Sequence, residues 1–166
     1  MRLSEPTVVH AGPYHVAGCY ATFEGDDEGP AWSAAYTGFL RCRDTITNRV
    51  GDTILGFLYR PRRDHPDAGA DVRACFVGVE VSDIAAVPAD VATTRFSEGQ
   101  YVTVTSTGDT EEEAAMGVGD AVTMLERWAT EHGYVEGDAC FAMSYENEPK
   151  PPFVEHVWMK IEPAGD

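Results

Sequence analysis

Few residues of this chain could do chemistry, and the first is a carboxylate inside an apolar run. Glu80 lies in Arg73–Val81 (RACFVGVEV). Strand alternation there sets Cys75, Val77, Val79 and Val81 on one face and Phe76, Gly78 and Glu80 on the other. A carboxylate among apolar side chains either demands a cationic partner or, with its pKa raised by desolvation, serves as a general acid or base. The alternative is a strand-end glutamate facing water. Glu146 and Glu155 stand near turns and read as solvated. If the chain is catalytic, Glu80 is the candidate, with a tyrosine as the other means of activating water.

The second resource is aromatic: Tyr14, Tyr36, Phe57, Tyr59, Phe76, Tyr101, Trp128, Phe141, Tyr145 and Trp158. Most belong in a core, where aromatic rings dominate by area. Trp32, Phe76, Tyr145 and Trp158 could instead face an open concave side and stack on a flat ligand or a cation. Trp128 belongs to a helical stripe and fits a core as well as a pocket. Met143 would add an adaptable, polarizable contact to such a wall. The candidate ligand-binding set is therefore Trp32, Phe76, Glu80, Tyr101, Trp128, Met143, Tyr145 and Trp158.

Other chemistries find no footing. Cys19, Cys42, Cys75 and Cys140 are scattered with no Cys-x-x-Cys pair, against a zinc knuckle or a redox motif. His10 and His15 point to opposite faces of a strand, and no metal site is legible. There is no nucleophile elbow and no phosphate loop, so no cofactor is expected. Acidic residues number 28 against 12 basic, a formal charge of −16. That field repels nucleic-acid phosphate and favours cationic small molecules or a basic protein surface, unless it serves solubility alone.

The elements that must position these residues come in two copies. Gly12-Pro13-Tyr14, within Thr7–Phe23, has a counterpart in Gly99-Gln100-Tyr101, within Ala92–Thr107. Each extended run leads through an acidic, glycine-containing break into a helix and then two strands. Half-units that cannot bury their own apolar faces must pair, and the seam is a natural place for a ligand cleft. Trp32, Ala35, Tyr36, Phe39 and Leu40 mark the first helix, started by Pro30 and ended by Gly51. The second spans about Glu111 to His132, with Thr110 and Glu113 as a capping box and Gly133 as its C-cap. Thr53–Tyr59, Arg73–Val81, Ala139–Tyr145 and Val154–Ile161 read as strands, with loops at Arg60–Ala70 and Glu148–Pro152. An α+β fold is predicted for a single domain over residues 1–166: an antiparallel sheet of eight strands, two helices on one side, and repeat halves of about 5–82 and 91–162.

This layout resembles the GyrI-like effector-binding domain. The matching segments are Ala17-Gly18 in the early strand, Gly78-Val79-Glu80-Val81, and Phe96-x-x-Gly99-x-Tyr101. The helix ending Trp128 to Gly133-Tyr134 and the closing Tyr145-Glu-Asn-Glu-Pro turn and strand also match. The resemblance implies two pseudosymmetric strand-helix-strand-strand units around an aromatic-lined cleft. Some members are drug-sensing domains of transcription regulators. Others stand alone, among them a gyrase-inhibitory protein and hydrolases that open cyclopropane rings in cytotoxic natural products. Family pockets often hold a buried glutamate near a tyrosine, in the strand after the second helix. Here that stretch is Cys140-Phe-Ala-Met-Ser-Tyr145: Tyr145 fits the tyrosine, while the glutamate position falls on Met143, or on Ala142 in the neighbouring register. Neither side chain carries charge.

Three functions follow as expectations. The first is a stand-alone bacterial module that sequesters or senses a flat hydrophobic ligand, cationic or neutral, in the manner of a multidrug binder. The second is a hydrolase of reactive, cyclopropane-containing natural products. The third is a gyrase-inhibitor-like protein-interaction module. Nothing before Thr7 has the length of a helix-turn-helix, and direct nucleic-acid binding is not expected. No apolar run approaches a membrane span, and the N-terminus lacks the apolar core of a signal peptide, so the cytoplasm is the expected compartment. A small molecule is the expected partner, with a protein or a second copy of the chain as the other candidates.

Overall fold

Period-two and period-3.6 patterning become nine strands and two long helices among the described residues. The computed structural model describes residues 1–59, 71–145 and 151–165; the Arg60–Ala70 loop, Glu146 and Glu148–Lys150 of the proline-rich turn lie outside the described residues. The strands are β1 (Arg2–Leu3), β2 (Thr7–Ala11), β3 (Tyr14–Glu24), β4 (Arg49–Tyr59), β5 (Val72–Val81), β6 (Ala92–Phe96), β7 (Gly99–Gly108), β8 (Tyr134–Tyr145) and β9 (Phe153–Pro163). The helices are α1 (Gly29–Cys42) and α2 (Glu111–Glu131). The fold is α+β. Its strands number nine rather than the expected eight: the six extended runs read from the sequence become nine because Arg2–Leu3 also pairs and each of the two long runs is interrupted. The first run breaks at Gly12-Pro13, where Gly12 takes φ +88°, a left-handed value that suits glycine. The second breaks at Ser97-Glu98.

The chain forms two compact units, and they are not the sequential halves. Unit 1 is Met1–Tyr14 with Phe96–Asp166, and unit 2 is His15–Arg95. In unit 1 the strand order is β1–β7–β9–β8, with β2 also paired to β7. In unit 2 it is β4–β5–β3–β6. The leading strand of each repeat thus pairs with the long strand of the other repeat. β2 lies antiparallel on β7, with Val9 opposite Tyr101, while β6 lies beside β3.

Each unit buries one face of its sheet under one helix. In unit 2, Ala17, Cys75, Val77, Val79 and Val81 pack against Ala31, Ala35 and Phe39 of α1. In unit 1, Val102, Val104, Val157, Met159 and Ile161 pack against Ala121, Leu125 and Ala129 of α2. α1 starts with Pro30 in its first turn, without a side-chain cap. It ends at Cys42, well before the expected Gly51. A 3-10 turn over Arg43–Thr45 follows, and Ile46 turns extended with its side chain fully buried. Gly51 lies within β4 instead. α2 carries the expected cap: Thr110 Oγ1 accepts from the Glu113 N–H at 3.1 Å, and Glu113 Oε2 accepts from the Asp109 N–H at 2.8 Å. Gly133 closes it at φ +79°. None of the described helices is long and apolar enough to cross a membrane.

Candidate functional site

Because alternate residues of a strand share a face, the face of each sheet away from its helix is defined by the pairing register. In unit 2, Val16 stands opposite Glu80, Gly18 opposite Gly78 and Tyr20 opposite Phe76. On the other side of β5, Leu55 meets Gly78 and Phe57 meets Phe76. Phe57 and Phe76 stack with centroids 4.9 Å apart and planes 18° apart, and Tyr59 tilts against Phe57 at 5.6 Å. At Gly18 and Gly78 the two backbones come so close that a Cβ would meet Val77 O at 2.1 Å or Ala17 O at 2.5 Å. Only glycine fits either position.

Glu80 completes this face. Phe76 is buried, whereas Glu80 keeps partial access to solvent. Burial pushes the Glu80 carboxyl up from the ordinary carboxylate range, and His15 partly opposes the shift. Among the described residues no hydrogen bond or ion pair holds the carboxyl. It is therefore a desolvated acid on the same face as the stacked rings, four residues along β5 from Phe76.

The corresponding face of unit 1 is filled with rings. Phe141 is its centre, stacked on Phe96 at 4.8 Å and on Trp158 at 6.4 Å, with edge contacts to Tyr14 at 5.7 Å and Tyr101 at 6.1 Å. Tyr101 is fully buried and donates its Oη–H to Ser97 O at 2.8 Å. Burial, Asp138 and Tyr14 push its phenol up to about 12, so it stays protonated and serves as a packed anchor, not as a base. Trp158 Nε1 is buried without an acceptor among the described residues. Met143 lies on this face opposite His156. At the far end Lys160 contacts Ser97 Oγ and pairs with Asp138 at 3.5 Å. Its stem passes Gly99 and Gly137, where added Cβ atoms would come within 2.8 and 3.2 Å of it.

The candidate residues are thus divided. Phe76 and Glu80 share the face of unit 2 away from α1, and Tyr101, Met143 and Trp158 share the face of unit 1 away from α2. Tyr145 ends β8, and its side chain lies outside the described residues. Trp32 stands on the helix side of unit 2, not on the face of Phe76 and Glu80. Its ring covers Gly56, whose Cβ would come within 3.3 Å of it, and its Nε1 donates to Glu28 at 3.3 Å. Trp128 likewise stands on the helix side of unit 1, stacked on His132 at 4.2 Å and Tyr134 at 5.8 Å. Helical stripes place a tryptophan on a helix and leave open what lies beneath it, which is why sequence alone set Trp32 on the concave side and kept Trp128, a stripe residue, among the ligand-binding candidates. The roles of Phe96 and Phe141 within one cluster were missed. Alternation of Phe141 with Met143 was the available signal. No group of three or more His, Cys, Asp and Glu side chains among the described residues could hold a metal.

Neither a family model nor a curated protein matches the chain. Solved structures do. SAV2435 bound to tetraphenylphosphonium is 14% identical over 96% of this chain and 94% of its own, with a TM-score of 0.68. A Staphylococcus aureus MU50 protein assigned to bacterial transcription regulation is 15% identical over 95% and 98%, with a TM-score of 0.64. A hydrolase from Listeria innocua is 13% identical over 95% and 92%, with a TM-score of 0.57. The fold is GyrI-like. At such identities the likeness concerns the fold, so the GyrI-like frame gives the positions of the strands, and this chain's own residues must supply the chemistry.

Proposed function

We propose that this chain is a small-molecule-binding protein that sequesters or senses a flat, apolar organic cation. One observation carries the reading: Glu80, a half-buried carboxyl with no described partner, lies on the same face as the stacked Phe57 and Phe76. A ligand cation placed there would gain the carboxylate's charge and the ring faces together, and burial strengthens both. That SAV2435 binds tetraphenylphosphonium, a tetrahedral aryl cation, on the same fold supports an apolar organic cation as the ligand class; the flatness is argued from the stacked rings. Phe76 and Glu80 form the proposed site, and Trp158 and Met143 offer a second aromatic surface in unit 1.

Titration calorimetry with tetraphenylphosphonium and with neutral triphenylphosphine oxide tests the reading. The cation should bind, and Glu80→Gln should weaken it about tenfold, the equivalent of ~1.4 kcal/mol, while leaving the neutral compound unaffected. A panel of aryl and planar cations that neither binds nor raises the melting temperature would sink it.

A second reading rests on the same carboxyl. A carboxyl that burial pushes up from the ordinary carboxylate range suits proton transfer to or from water, and a hydrolase shares the fold. Turnover of a cyclopropane-containing substrate that disappears in Glu80→Gln would establish it. Turnover unchanged by that substitution would remove Glu80 from the chemistry.

A further inference from the structure

The two units carry a small polar side chain at one shared position beneath the helix. Counted from Tyr14 and Tyr101, Cys19 in β3 and Ser106 in β7 are equivalent. Both are overlaid by a helix glycine. A Cβ on Gly38 would come within 2.4 Å of Cys19 Sγ, and one on Gly117 within 2.0 Å of Ser106 Oγ. In unit 1 the position is closed: Ser106 is fully buried and donates to Ala114 O at 2.9 Å, and one turn beyond Gly117 stands the buried Ala121. In unit 2 the residue one turn beyond Gly38 is Cys42. Helical side chains lean toward the N-terminus, so Cys42 leans back over the turn on which Cys19 Sγ sits. Its Sγ–H donates to Phe39 O at 3.5 Å, within that same turn. Both thiols are free and half-buried.

We propose that Cys19 and Cys42 form a dithiol site that closes to an intramolecular disulfide on meeting a low-molecular-weight disulfide. The absent side chain of Gly38 provides the room in which the two sulfurs meet. One thiolate, Cys19, attacks the reagent's S–S bond, forming a mixed disulfide and expelling one reagent thiolate. Cys42 then attacks the Cys19 sulfur, forming the protein S–S bond and expelling the second. Both protein protons go to the two departing thiolates, and the two electrons given up by the protein sulfurs reduce the reagent. Burial, the Cys19 sulfur and Asp90 push the Cys42 thiol up, against a weaker lowering by its backbone hydrogen bond. That suits Cys42 to the resolving step, since its thiolate is scarce until a mixed disulfide lies beside it. Cys75 and Cys140, pushed up to about 12 by burial, are internal controls.

Incubating the reduced full-length protein with oxidised glutathione tests this by intact mass and peptide mapping. The expected product is about 2 Da lighter and yields one cross-linked peptide pair joining Cys19 to Cys42, with a raised melting temperature. Cys42→Ser should stop at one glutathione adduct on Cys19. A stable adduct on each of Cys19 and Cys42 with no loss of 2 Da would overturn the proposal. So would a bond to Cys75 or Cys140, or no reaction at any thiol.

Discussion

Units 1 and 2 use one frame with different side chains at equivalent positions. Counted from Tyr14 and Tyr101, Val16 matches Thr103 and Gly18 matches Thr105. Their partners are then equivalent too: Glu80 opposite Val16 matches Trp158 opposite Thr103, and Gly78 matches His156. Where unit 1 sets a tryptophan into a ring cluster, unit 2 sets a carboxyl beside a pair of glycines. Unit 1's face away from its helix is filled by ring contacts, and unit 2's carries an acid without a hydrogen bond among the described residues. Under the proposed function, one copy of the repeat keeps stability and the other holds the ligand-binding acid.

Removing a ring from each face should separate the two units most strongly. Phe141→Ala deletes the centre of four ring contacts at a buried site and should cost about 4 kcal/mol. Phe57→Ala removes a ring that stacks on Phe76 and tilts against Tyr59, and should cost about 3 kcal/mol. It should also reduce cation affinity, which a folded Phe141 variant should keep. Urea melts and calorimetry on both variants check this. Equal stability losses would erase the distinction between the faces.

Next in size is the helix–sheet contact. Gly117→Ala drives a methyl into Ser106, which is fully buried and tied to Ala114, so something must shift. A loss of about 2 kcal/mol is expected, after the ~1 kcal/mol that alanine gains over glycine in a helix. Gly38→Ala meets Cys19 Sγ, a half-buried group able to rotate away. Its melting temperature should change little.

Smaller still is the pH effect of Glu80. Its folded pKa is raised, so the folded state holds a proton that the unfolded state has released. Its contribution to stability is full below the ordinary glutamate value near 4.5 and is lost as pH rises through the folded value. Glu80→Gln should therefore be more stable than the parent at neutral pH, and the gap should close on acidification. Cation affinity should run the other way, falling as pH drops through the same window. Thermal melts and calorimetry between pH 4 and 8 read both signs.

Local patterning made one part of this architecture legible, and distance along the chain hid the rest. Alternation in Arg73–Val81 placed Phe76 and Glu80 on one face, because that depends only on neighbouring residues. Thr110, Glu113 and Gly133 marked α2 for the same reason. Alternation chooses a face and not a partner, so the pairing of β2 with β7 was invisible in Thr7–Phe23. The end of α1 was missed because burial of Ile46, a tertiary demand, overrides the stop expected at Gly51. Cys19 and Cys42 become neighbours only once α1 lies on β3, and no spacing motif encodes that.

The two helices begin differently. Thr110 caps α2 through the Glu113 N–H, with three glutamates in the first turn. α1 follows Glu28, whose side chain caps no N–H and instead accepts from Trp32 Nε1. Thr110→Ala leaves a helical N–H without its acceptor and should cost about 1 kcal/mol. Glu28→Ala removes only a partly exposed contact at 3.3 Å and should cost no more than a few tenths of a kcal/mol. Chemical denaturation of the two variants resolves that difference. A larger loss for Glu28→Ala would mean that Trp32, anchored by Glu28 over Gly56, holds α1 in place of a cap.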